Sequence, residues 1–246
     1  QLKAINDKVG GAITLSTTDV NLVGSAADLK DALAGSFASG ATHTGEVKVT
    51  GTYNVSQLKA INTGTDGALH LANRSVALTG SGSDLADALT GNFTADKTHN
   101  GVVKVTGGDY TVTDLVTINA GNEGGEIHLV NRTVGLSGSA ANVKAALAGS
   151  FTANQTHTGV VTLSDNGTTV NATDITAIET AKPSGNINIT NGVALSGTGA
   201  KLKSAAEALD TIHATTTATV TDTSYTVAQL KAINDKVGGA ITLSTT

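Results

Sequence analysis

Hydrophobic positions in this chain recur in two short rhythms that alternate along its length. The first has a period of two, as in Val47-Lys48-Val49 and Leu69-His70-Leu71, and predicts strands with one buried face and one wet face. The second is helical but brief, as in Leu29, Ala32 and Leu33, or Leu58 and Ile61. Helices this short do not persist alone, so packing must hold them.

The residue before each helical stretch carries a hydroxyl or an amide, which can accept from the free backbone NH groups of a first turn. Ser25 with Asp28, Ser81 with Asp84, Ser139 with Asn142, Asn54 with Gln57, Thr111 with Asp114, Asn171 with Asp174 and Thr226 with Gln229 also place an acidic or amide residue three positions on. Thr198, followed by Lys201, breaks the rule.

The elements repeat. QLKAINDKVGGAITLSTT at 1–18 returns without a change at 229–246, which implies a 228-residue unit in tandem and an internal stretch of a longer protein. Inside it, QLKAIN at 57–62, DLVTIN at 114–119 and DITAIE at 174–179 match the opening QLKAIN. They divide the unit 1–228 into four repeats, 1–56, 57–113, 114–173 and 174–228, with 229–246 beginning the next unit. A second shared element, GSAADLKDALAGSF at 24–37, recurs at 80–93 and 138–151, and its fourth copy at 197–210 loses the Phe.

Each repeat splits into two related halves, so the expected fold is α/β, a repetitive solenoid of strand, corner, strand and short helix. One coil takes roughly 28 residues and a double coil roughly 57. Strands stack at ~4.8 Å but helices need ~8–10 Å, so a straight parallel sheet cannot carry every helix on one side. Either the solenoid curves, as leucine-rich repeats do, or alternate helices go to opposite sides; two distinguishable halves favour alternation, and strand direction is left open.

Composition fits a thin core. There is no Cys, Met or Trp, one Pro and 29 Gly, so Val, Leu, Ile and Ala must fill the interior. A net charge of −5 and scattered Lys and Arg lack the footprint of a nucleic-acid binder. No apolar run approaches the ~20 residues of a membrane helix, so no membrane insertion is expected.

The motifs at 24–37, 42–49 and 53–62, repeated at 80–93, 98–105 and 110–119 and again at 138–151 and 156–163, resemble tandem segments of giant bacterial cell-surface and secreted proteins, including those of marine cyanobacteria. The resemblance implies a bacterial, extracellular or cell-surface setting and a structural, adhesive or motility-linked role. The fourth repeat departs from it at Asp210 and Ile212-His213-Ala214.

No constellation of residues assembles a reaction centre, and no catalytic, cofactor-binding or metal residue is assigned. His43, His99 and His157 are expected to pack over a strand entry, where Gly45, Gly101 and Gly159 would permit unusual backbone angles; His70 and His128 should face solvent. Equivalent histidines two coils apart would lie ~10 Å from each other, too far to share a metal ion. Asp28, Asp84, Asp114 and Asp174 read as helix-start charges, and Asp165-Asn166-Gly167 as a turn. Asn-x-Ser/Thr occurs at Asn54, Asn73, Asn92, Asn131, Asn154, Asn166, Asn171 and Asn188, several of them at expected caps or turns. A lattice-matching threonine face is not expected, because Thr14, His70, His128 and Asn188 share one slot.

The function these features favour is a non-enzymatic structural module of an extracellular or cell-surface fibre, filament or stalk. Its partners would be copies of itself, head to tail, within one chain or between subunits. The alternative is an adhesin-type module recognising glycans or another surface layer.

Overall fold

A computed structural model describes residues 1–38, 42–182 and 184–244. Short parallel strands alternate with short helices throughout, an α/β architecture. The chain forms two compact units, one of residues 1–110, 117–130 and 149–152, the other of 111–116, 131–148 and 153–246.

The first unit holds α1 (Leu2–Asn6), β1 (Leu22–Ser25), α2 (Ala26–Leu33), β2 (Val47–Thr50), α3 (Val55–Gly64), β3 (Leu69–Leu71), β4 (Leu78–Gly80), α4 (Gly82–Leu89) and β5 (Val103–Val105). The helix α5 (Val112–Gly121) is divided between the units at Thr117, and β6 (Ile127–Leu129) belongs to the first. Two parallel sheets run β1-β2-β3 and β4-β5-β6. The second unit holds β7 (Leu136–Gly138), α6 (Ala140–Leu147), β8 (Val161–Leu163), β9 (Thr169–Asn171), α7 (Ala172–Ala181), β10 (Ile187–Ile189), β11 (Ala194–Gly197), α8 (Gly199–Ala208), β12 (Thr217–Val220), α9 (Val227–Asn234) and β13 (Ile241–Leu243). Its sheets are parallel in the orders β7-β8-β10 and β9-β11-β12-β13.

The apolar alternation buries Val47, Val49, Leu69 and Leu71, and the helices bury Leu29, Leu33, Leu58 and Ile61. Besides Val, Leu, Ile and Ala, the buried apolar set includes Tyr53 and Tyr110. Leu58 and Ile61 are fully buried. Truncating either to Ala would cost about 2–5 kcal/mol, because a thin layer has little material to collapse into the gap.

The expected alternation of helices between two sides is not what the chain does. Within the first unit α1 packs on α2, α2 on α3 and α3 on α4; within the second, α6 packs on α7, α7 on α8 and α8 on α9. The spacing conflict is met along the chain instead. Paired strand residues lie 22 to 26 positions apart, as in Val47 with Leu69 and Val161 with Ile187, shorter than the expected coil. Helix starts lie 24 to 32 apart, as Leu2 with Ala26 and Ala140 with Ala172 show. Strand ladders and helix row therefore drift past one another, and no sheet exceeds four strands among the described residues. Leu69 in β3 pairs with Val47 and then Phe93, while β4, a few residues later in the same passage, opens the next ladder with Val103.

The corner was also simpler than expected in one half-repeat. After β2 and β5 the chain bends at Gly51 and Gly107, with φ of +75° and +90°, and reaches the helix without a second strand. Among the described residues only β9 supplies one, before α7.

Candidate functional site: the seam between neighbouring coils

The polar residues that recur along the sequence meet where one passage of the chain touches the next. Each loop histidine is buried there. His43 Nε2 donates to the carbonyl oxygen of Val20 at 2.7 Å, and its Nδ1 lies 2.9 Å from Thr65 Oγ1. His99 repeats the bracket between Val76 O at 2.7 Å and Asn122 Oδ1 at 2.9 Å. His157 Nε2 donates to Val134 O at 2.6 Å. At His43 and His99 one imidazole thus joins three successive passages of the chain, while His157 joins two, its buried Nδ1 having no partner among the described residues.

Burial sets the protonation of two of them, His99 and His157. Desolvation holds His99 below the ordinary imidazole range, outweighing its bonds to Val76 and Asn122, which favour the charged ring. Desolvation does the same to His157, and the nearby Lys182 charge adds to it. Lys182 is itself buried and stands where the earlier brackets have Thr65 and Asn122; its Nζ donates to Ser184 O at 2.6 Å. Burial pushes this amine below the usual lysine range, against the pull of Glu179 and Asp210. Nothing in the spacing of Thr65, Asn122 or Lys182 marked them beforehand, since three different residue types fill one position.

Gly45, Gly101 and Gly159 serve closeness rather than the unusual angles expected of them, for none has a positive φ. A Cβ at Gly45 would sit 2.5 Å from Val20 O, and one at Gly101 would sit 2.6 Å from Val76 O. The next passage repeats the device, because a Cβ at Gly67 would collide with Gly45 O and one at Gly125 with Gly101 O.

Asparagines clasp the helix row. Asn6 Nδ2 donates to Asp31 O at 2.7 Å, and Asn62 Nδ2 reaches Asp87 O at 2.9 Å and Ala88 O at 2.7 Å, carbonyls that close α2 and α4. Gly35, Gly91 and Gly149 leave room for Asn6, Asn62 and Asn119 respectively. In the fourth repeat both members change: Glu179 stands in the asparagine's place and Ala208 in the glycine's, and α8 runs on to Ala208. Ion pairs cross the same row. Lys59 meets Asp84 at 2.9 Å and Asp87 at 2.8 Å, Lys3 meets Asp31 at 3.0 Å, and Lys144 meets Asp174 at 2.6 Å. The hydrogen bond to Asp84 leads in raising the Lys59 pKa, and the bond to Lys59 leads in lowering that of Asp84.

The helix-start carboxylates do local work. Ser25, Ser81 and Ser139 accept from the backbone NH of Asp28, Asp84 and Asn142. Asn54 with Gln57, and Thr226 with Gln229, form full capping boxes, and Thr111 exchanges bonds with Asp114. One start departs from expectation: Asn171 makes no side-chain cap bond, and the Asp174 carboxylate is taken by Lys144. Thr198 caps as its hydroxyl predicts, accepting from Lys201 NH without an acidic or amide residue three positions on. Asp165 accepts from the first NH of α6 at 2.8 Å, beside a bend at Gly167 with φ +63°. Asn73 and Asn131 accept from the backbone two residues on, so these two sequons are turns.

His70 and His128 are half-buried rather than open, 3.6 Å from Glu46 and 3.3 Å from Glu126. A groove beside α3 is lined by Leu33, Phe37, Val55, Lys59, Thr63 and Asp84, and its two charged groups neutralise each other. Among the described residues no three of His, Cys, Asp and Glu gather as a metal site would require, and no helix is long and apolar enough to cross a membrane. The seam's chemistry is that of a fastening: donors meet acceptors between coils, and charged groups are paired across the helix row. No protein-family model, curated protein or solved structure matches this chain.

Proposed function

We propose that the chain is a structural repeat module of an extracellular or cell-surface fibre, filament or stalk, in which solenoid coils stack end to end and the 228-residue unit recurs in tandem. The observation that carries this reading is the seam. Within each unit, histidine brackets, glycine contacts and a common apolar layer fasten a coil to its neighbours. What is repeated along the sequence is the means of joining coils, whereas a binding or catalytic module would spend its recurring polar residues on a ligand. An open stack has a bare apolar layer at each end that only another coil covers.

Antibodies raised against the purified chain should label intact source cells and decorate thin filaments in immunogold electron microscopy. Labelling only after permeabilisation, or diffuse label without filaments, would refute the proposal. The same protein on a glycan array tests the adhesin alternative, for which saturable binding is required.

A further inference from the structure

Three of the four repeats place a histidine in the seam, but what faces its second ring nitrogen differs. At His43 it is Thr65 Oγ1, which accepts from Gly67 NH at 2.9 Å and donates to His43 O at 3.0 Å. This hydroxyl accepts from a charged ring and turns to donate to a neutral one, so the seam suits either state. At His99 it is Asn122 Oδ1, held in that direction because Nδ2 donates to Gly125 O at 2.8 Å. An imidazolium there has an acceptor for each N–H, Val76 O and Asn122 Oδ1.

The third seam lacks that second acceptor. His157 is fully buried; its Nε2 donates to Val134 O, and its Nδ1 has no partner among the described residues. Lys182 stands in the Asn122 place, three residues before Gly185 as Asn122 stands three before Gly125. Its ammonium lies within the packing of the histidine loop. A Cβ on Gly185 would sit 2.3 Å from Thr158 O, 2.6 Å from Gly159 O and 2.8 Å from Lys182 Nζ. Lys182 donates to Ser184 O, while Glu179 and Asp210 act on it only through space, the Asp210 carboxylate accepting from Ile187 NH at 2.9 Å. Arg132, which borders the same loop, donates from its guanidinium to Thr156 O. The fourth seam does without an imidazole. Ala214 stands in the histidine's place and Val237 in that of Thr65, and Val193 O accepts from Thr217 NH at 2.9 Å instead. His213 beside it is exposed and bonded to Thr215.

We propose that acid opens the stack at the His157–Lys182 seam while the other three seams stay closed, so that each 228-residue unit carries one proton-controlled hinge. A proton added to His157 meets the Lys182 charge in a buried place that holds no acceptor for the new N–H, and separation of the coils gives both cations water. At His43 and His99 the same proton finds its acceptor already in position. The place of the hinge in a fibre rests on the stacking reading above. There the joint between units is the fourth seam, because Val237 belongs to the segment that begins the next unit, and it has no proton to take up.

Hydrogen exchange of the full chain at pH 7.5 and 5.0, read by mass spectrometry and corrected for the pH dependence of the intrinsic rate, tests the hinge. Amides of β8 and β10 should lose protection about tenfold or more at pH 5.0, and those of β2, β5 and β12 less than about threefold. Lys182→Asn supplies the acceptor found at His99 and should reduce the loss at β8 and β10 to that of β5. Lys182→Met removes the cation alone and should give an intermediate loss. Equal losses at all four seams, or a loss at β8 and β10 that neither Lys182 variant reduces, overturns the hinge. Filaments labelled on cells despite that result would leave the fibre standing without it, and a hinge in a chain that forms no filaments would stand without the fibre.

Discussion

His99 reaches back to the carbonyl oxygen of Val76, 23 residues earlier, with a hydrogen bond of 2.7 Å, and so holds the entry of β4 from the following coil. Val76 precedes a strand whose ladder begins only at Leu78, so without the imidazole its carbonyl would lie in the seam with no ladder partner.

Burial of this imidazole makes stability depend on pH. Both His99 and His157 are held below the ordinary imidazole pKa of about 6.5 by burial, so the folded chain resists a proton that the unfolded chain accepts. Their contribution is complete above about pH 6.5 and drains away as the pH falls through that value towards their lower folded pKa values. Urea midpoints at pH 7.5 and 5.0 should show the decline. His99→Gln should lose about 1–2 kcal/mol at pH 7.5 and show a smaller fall between the two pH values.

Identical glycines should differ in cost. Gly10→Ala faces open space and should change stability by less than about 0.5 kcal/mol. Gly238→Ala must push against Ala214 and should cost about 1–3 kcal/mol. Paired thermal melts of the two variants decide this, and equal effects would contradict the described packing.

Two helix starts give a second pair. Thr198→Ala removes a bond to Lys201 NH and should cost about 1 kcal/mol. Asn171→Ala removes no cap bond and should cost less than about 0.5 kcal/mol. Chemical denaturation of both measures the difference.

Lys182 is a buried amine whose folded pKa is lowered. Between that lowered value and the usual one the unfolded chain binds more protons, so its penalty is greatest at neutral and acid pH and eases as the pH rises. Lys182→Met keeps the bulk and removes the charge. It should be about 1–2 kcal/mol more stable at pH 7, with the gain shrinking as the pH rises towards the usual lysine range. A destabilised Met variant would show that the bond to Ser184 outweighs burial.

What is local was readable from the residues. Alternation located β2 and β3, the Ser25, Ser81 and Ser139 starts fixed their helices, and the matching motifs gave the repeats, because each depends on neighbours within a few positions. Even there one start misled: Asn171 has the spacing of a cap with Asp174 and makes no cap bond, whereas Thr198 caps without a partner at the third position.

Contacts between successive strand passages depend on residues more than 20 positions apart, and only the tertiary structure decided them. It set the strands parallel and placed neighbouring helices in direct contact, letting ladders end after three or four strands where alternation of sides had been expected. It buried the loop histidines, and it gave Gly45 and Gly101 the task of admitting another backbone. Sequence alone determined that residues 1–18 and 229–246 are the same; folding determined that they face their neighbours from opposite sides, because burial belongs to the partner a segment meets and not to the segment itself.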